Sequence, residues 1–273
     1  MVLALAWHVA VDTVAHQDIR QLAIDAHAYW AVDTRSLYHG AVIGDLDAFL
    51  YTPAAGQLLD PVGAVPWPLF YSIWLAGLLI VLVLLLGPVA AALTIFLPPV
   101  WADLTTGNVH ILIALSIVLG MKWSAAWAMP LLTKVTPGIG LLWFAVRREW
   151  RPLFIAVGVT GGLAAVSYIS APSLWAAWLQ VLGSNANEPA RVLGWPLAMR
   201  LPLAAGLVIV GAWRGWKWMI PVASMLALPV LWENSVTVLF AIPSLIGWGP
   251  LGRLGNPPER AEIRSGQVGP EYR

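Results

Sequence analysis

The chain contains no cysteine, which excludes disulfides and thiol chemistry. It is also poor in charge. Only 11% of its 273 residues are Asp, Glu, Lys or Arg, against about 25% in soluble domains. Residues 61–102 carry no charged side chain, and neither do residues 152–187. That pattern excludes an ordinary globular domain. The formal net charge is +1, so no basic field argues for nucleic acid as a partner. The ten-residue alternation of a membrane barrel is missing as well. What is abundant is apolar: 59% of the chain, much of it in stretches long enough to cross a hydrocarbon core, which takes roughly 20 residues as a helix. Backbone groups in lipid must be satisfied within the structure, so the expected fold is all-α, a multi-pass transmembrane helical bundle. The 17 tryptophans fit such a protein, because Trp collects at membrane interfaces.

The remaining polarity is unevenly placed. Seven of the eight aspartates and four of the five histidines lie in the first sixty residues. A carboxylate-rich segment joined to an apolar body suggests chemistry on a water-exposed face, although an acidic loop can also be plain solvation. Residues 1–15 are apolar but interrupted by His8 and Asp12 and have no basic leader, so they do not read as a secretory signal. They read as half of a transmembrane helix whose upstream part is missing. Residues 16–65 form a polar head with turn signals at Gly40, Gly44, Pro53, Pro61 and Pro66. Apolar segments follow at 67–86, 89–101 (ended by Pro98-Pro99), 109–121, 123–146, 153–171, 200–213, 216–232 and 235–248. A polar-aromatic loop at 172–198 holds a short helix near 174–182. Residues 1–252 form one integral membrane domain, and 253–273 a polar cytoplasmic tail.

Basic residues in short loops favour the cytoplasm. The 147–151 set, the 214–217 set and the tail are therefore expected inside. Counting spans from either end agrees only if residues 123–146 leave and return on one side, because 24 residues are too few for two crossings at about 1.5 Å per residue. A broken re-entrant hairpin with its tip near 134–138 satisfies the count, and such backbone needs a protein or water-filled lining. The head, Gly107-Asn108, the 172–198 loop and Glu233-Asn234 then share the external face.

Several residues could carry chemistry there. An ionised Lys134 within a span costs about 2.5–3.5 kcal/mol on insertion scales and should face a cavity with a partner, as a phosphate contact would. Arg191 and Arg200 lie outside, against the basic-inside trend. Arg200 opens a helix, where its charge opposes the dipole and calls for an anionic partner. Glu233 and Asn234 can hydrogen-bond a sugar. His27 and His39 can bond sugar or phosphate, and Tyr29, Trp30 and Tyr38 can stack on sugar faces, although interfacial aromatics are the commoner case. Asp47 is a second carboxylate candidate. Asp45-x-Asp47 has the form of a metal-binding pair, but such spacing is commonplace in acidic loops, so no cofactor is expected and a divalent metal has little support.

The order Asp25, Tyr29, Tyr38, Gly40, Tyr51, Pro53, followed by a span opening with Pro, Phe and Trp, resembles polyprenol-phosphate-dependent membrane glycosyltransferases of the C superfamily, most closely glycosyltransferase family 87, which includes actinobacterial α-mannosyltransferases. "GNVH" at 107–110, "LLTKVTPG" at 131–138 followed by "RREWR", "SNANEPARVLGWPLAMRL" at 184–201 and "LPVLWENSVTVLFAIP" at 228–243 resemble later family stretches, in the same order. The resemblance spans about residues 20–250. It implies a catalytic base at Asp25, substrate contacts at Tyr51 and Asn108, and a sugar, with mannose the one expected of such a family, passed from a polyprenyl-phosphate donor to a glycolipid or lipoglycan acceptor. It further implies a plasma-membrane protein with an extracytoplasmic active site, with membrane lipids as its other partners. The chain is short for the family, and Asn108 and Asn234 stand where other residues are frequent. A transporter or flippase shares the broken helices and the intramembrane lysine, and a non-catalytic remnant is a third reading.

Overall fold

A computed structural model describes residues 22–184, 194–248 and 250–253. Among these residues the fold is helical throughout, with no strand. The polar head contributes two short helices, α1 (Ile24–Trp30) and α2 (Pro53–Leu59). Thr52 caps α2 with its side chain and Pro53 supplies a fixed φ at the first helical position. Helix α3 (Trp67–Leu86) is uniformly apolar and stops at Gly87, which has φ +84°.

Helices α4 (Pro88–Thr94) and α5 (Pro98–Thr106) follow, bent by 94° to one another. The Pro98-Pro99 pair, expected to end a segment, instead opens α5. Proline at the first positions of a helix forfeits only amides that have no helical partner. Helix α6 (His110–Gly120) is buried on nearly every side and packs its Ile111, Ile113 and Ile117 into the core with Leu78, Leu82 and Leu85 of α3.

Residues 123–146 are broken, as the span count requires. A 3₁₀ turn at Ser124–Trp127 leads into α7 (Ala128–Thr133), and a second at Thr136–Leu141 leads into α8 (Leu142–Val146). Between them Val135 holds φ +54° and ψ −63°, and the Thr136 amide donates to the Lys134 carbonyl at 2.6 Å. This is a γ-turn of the rare, strained hand, and a β-branched residue at its centre makes it a true outlier. The indole of Trp127 fills the space beside Gly120 and Gly140. A Cβ on Gly140 would lie 2.3 Å from that ring.

Helices α9 (Trp150–Ser170), α10 (Pro172–Ser184) and α11 (Leu197–Arg214) come next. Helix α9 exposes apolar side chains on most of its surface, as a lipid-facing helix does. Residues 216–232, expected as one apolar segment, form only the eight-residue helix α12 (Met219–Leu226). Pro229 cannot continue that helix, and Arg200 satisfies the carbonyls left there: the guanidinium donates to Leu226, Leu228 and Pro229 at 2.7, 2.8 and 3.0 Å, and to Trp195 at 3.0 Å. A 3₁₀ stretch, Glu233–Phe240, and α13 (Ala241–Leu245) complete the bundle.

Among the described residues, four segments are long and apolar enough to cross a membrane: Trp67–Leu86, Trp150–Ser170, Leu197–Arg214 and Glu233–Gly252. The bent α4–α5 pair makes a fifth if it counts as one span. The chain is a multi-pass helical membrane protein. Exposed tryptophans such as Trp150, Trp213 and Trp216 sit at helix ends, where interfacial residues belong.

Candidate active site

The corner between α5 and α6 is built to touch α1. Gly107 ends α5 in the left-handed region at φ +72°, and a Cβ there would lie 2.5 Å from Ala26 and 3.2 Å from Trp74. Only glycine permits both the dihedral and the approach. Helix α3 pins this corner from the other side: Trp74 donates its indole N–H to the Gly107 carbonyl at 2.7 Å, and the Tyr71 hydroxyl donates to Thr105 at 3.0 Å. Asn108 is thereby placed so that Nδ2 donates to Asp25 Oδ2 at 2.8 Å, while its Oδ1 accepts from the Val109 amide at 2.8 Å.

The γ-turn brings Lys134 to the same place. Its Nζ lies 3.0 Å from His110 Nε2 and 5.9 Å from the centre of the Tyr51 ring. An ammonium can only donate, so Nε2 accepts and the imidazole proton resides on Nδ1. Nδ1 in turn donates to Asp103 Oδ1 at 2.9 Å. The Thr237 hydroxyl stands 2.9 Å from Asp103 Oδ2 and 2.8 Å from the Asn234 carbonyl. Asp103, His110 and Thr237 are wholly buried, whereas Asp25, Tyr51 and Lys134 are partly exposed. Tyr29 and Tyr51 join their hydroxyls at 2.7 Å, and the loop carrying Tyr51 is tied to α7 by Thr52, which donates to Leu132 at 2.6 Å.

Burial raises the Asp25 carboxyl above the usual carboxylate range; the charge of Lys134 and the hydrogen bond from Asn108 only partly offset it. The buried Thr106 hydroxyl also favours the ionised carboxylate, yet it closes no hydrogen bond of ordinary geometry. Asn234 Oδ1 is buried and unpartnered too. These two orphan polar atoms flank the cluster.

Of the residues singled out in the sequence, Asp25, Tyr29, Tyr51, Asn108 and Lys134 are gathered here, and Asn234 adjoins them through Thr237. His27 leaves α1 about 200° around from Asp25. It is buried against Trp30 and Trp67 and hydrogen-bonds Asp47. Asp47, Asp45, His39 and Glu233 are exposed. Among the described residues no group of three or more His, Asp or Glu side chains is arranged to hold a metal. Arg200 meets four carbonyls and no anion in the described structure, and Arg191 lies outside the described residues.

Sequence reasoning passed over Asp103, His110 and Thr237. The available signal was an Asp and a His, seven residues apart on either side of the Thr-Thr-Gly-Asn turn that joins two apolar segments, since an ionisable residue close to membrane depth is a functional candidate by default.

A buried carboxylate beside a lysine at a membrane-protein surface suits several chemistries. The family profile decides between them, because that of glycosyltransferase family 87 matches residues 49–248. The chain belongs to glycosyltransferase family 87. No curated protein and no solved structure matches it. The family match takes in Tyr51, Asp103, Asn108, His110, Lys134 and Thr237 and begins after Asp25, which the fold nevertheless delivers to Asn108.

Proposed function

We propose that this family 87 glycosyltransferase moves a sugar, mannose in the simplest case, from a polyprenyl-phosphate donor to a glycolipid or lipoglycan hydroxyl at the extracytoplasmic face of the plasma membrane. The observation that carries the reading is that Asp25, Tyr51 and Lys134 are partly exposed and sit against the wholly buried Asp103, His110 and Thr237. Asp25 takes the proton of the acceptor hydroxyl as its oxygen attacks the anomeric carbon, a contribution of typically 10²–10⁴-fold. The bond to the phosphate oxygen breaks and polyprenyl phosphate departs as a stable anion, so no strong acid is needed. Lys134 offsets the charge that develops on it. Asn108 orients Asp25.

The test supplies the purified protein in liposomes with radiolabelled mannose as polyprenyl-phosphate mannose or as a nucleotide sugar. Transfer of label to a lipoglycan acceptor from the first and not the second is expected. Transfer from the nucleotide sugar alone, or uptake of label without donor consumption, contradicts the reading.

A further inference from the structure

Among the described residues, the buried Thr237–Asp103–His110 chain ends on Lys134. A buried Asp–His pair is weak evidence of a stability role, because apolar groups of similar volume usually serve as well. Here each bond also has a direction. Asp103 Oδ1 fixes the proton on Nδ1, which leaves Nε2 as an acceptor, and Nε2 is the atom facing the ammonium. The Lys134 backbone is held as firmly, by its amide, which donates to the Pro130 carbonyl at 3.0 Å, and by the γ-turn that follows it. A lysine otherwise has a long, flexible stem with about 2 kcal/mol of rotamer freedom to lose.

We infer that His110 and Asp103 are positioning residues for transfer, Asp103 orienting the imidazole and the imidazole holding the Lys134 ammonium where the departing phosphate forms. The inference rests on the reading of Lys134 as the phosphate contact. It extends the site inward by two residues that touch no substrate.

A double-mutant cycle on the full chain in detergent tests it, with polyprenyl phosphate as the probe and tryptophan fluorescence as the binding signal. Lys134→Met is expected to weaken polyprenyl phosphate at least tenfold. His110→Leu should weaken it by about tenfold, the order of one hydrogen bond to a charged group. The double variant should bind no more weakly than Lys134→Met alone, since His110 acts only through Lys134. His110→Gln, whose Oε1 can accept from the ammonium, should recover most of the loss. Equal further loss from His110→Leu in the Lys134→Met background overturns the inference, because it marks a purely structural role. Wild-type affinity in His110→Leu, with Lys134→Met impaired, overturns the inference while leaving the phosphate contact intact. Wild-type affinity in Lys134→Met overturns both.

Discussion

Asp25 is the residue on which the proposed chemistry turns, and its environment makes its behaviour predictable. Burial raises its carboxyl, with Lys134, Asn108 and Thr106 opposing. A base must be ionised, so transfer should fall as pH drops through the Asp25 pKa, with a midpoint above the ordinary carboxylate value of about 3.9. Asn108→Ala removes a donor to the ionised form, so the acidic limb should move to higher pH, read from kcat/KM against pH. An unmoved limb contradicts the pairing. The same shift carries a sign for stability. A group whose folded pKa is raised contributes stability below its unfolded pKa and loses it as pH rises. At neutral pH, Asp25→Asn should therefore be at least as heat-stable as the wild-type chain.

At the scale of elements, Arg200 connects α11 to the non-helical chain after α12. It was read from the sequence as a cation in need of an anion, on the strength of the helix dipole. The structure satisfies it with four carbonyls, a solution that depends on where Leu226, Leu228 and Pro229 arrive in space and so leaves no local trace. Arg200→Met strands the buried Leu228 carbonyl, at about 1–3 kcal/mol, and leaves three part-buried carbonyls without their donor. The expected outcome is a severely lowered melting temperature in detergent, whereas an unchanged one contradicts the clamp. The Lys134 break was legible for the opposite reason. Pro130, Pro137, Gly138 and the span count all fall within one short segment, so local signals and topology agreed. Asp103 and His110 escaped notice because they flank a polar turn, Thr105 to Asn108, in which Gly107-Asn108 is the stronger local signal. Only the fold shows that α5, α6 and the Glu233–Phe240 stretch close around them.

For the whole molecule, the membrane bundle followed from composition, since long uncharged stretches leave helices as the economical fold. The clustering of aspartates in the first sixty residues was a weaker guide. Asp25 enters the polar cluster, Asp47 turns to His27, and the eighth aspartate, far along the chain, lies deepest. The bundle brings the head, the α5–α6 corner, the 123–146 break and the 3₁₀ stretch to one place, which is what a transferase needs to set a base and a cation on either side of a sugar. The most direct measurement is the rate of sugar transfer from a polyprenyl-phosphate donor by Asp25→Asn at saturating donor and acceptor. A folded variant slowed by about 10²–10⁴-fold is the predicted result; a folded variant transferring at the wild-type rate contradicts the account.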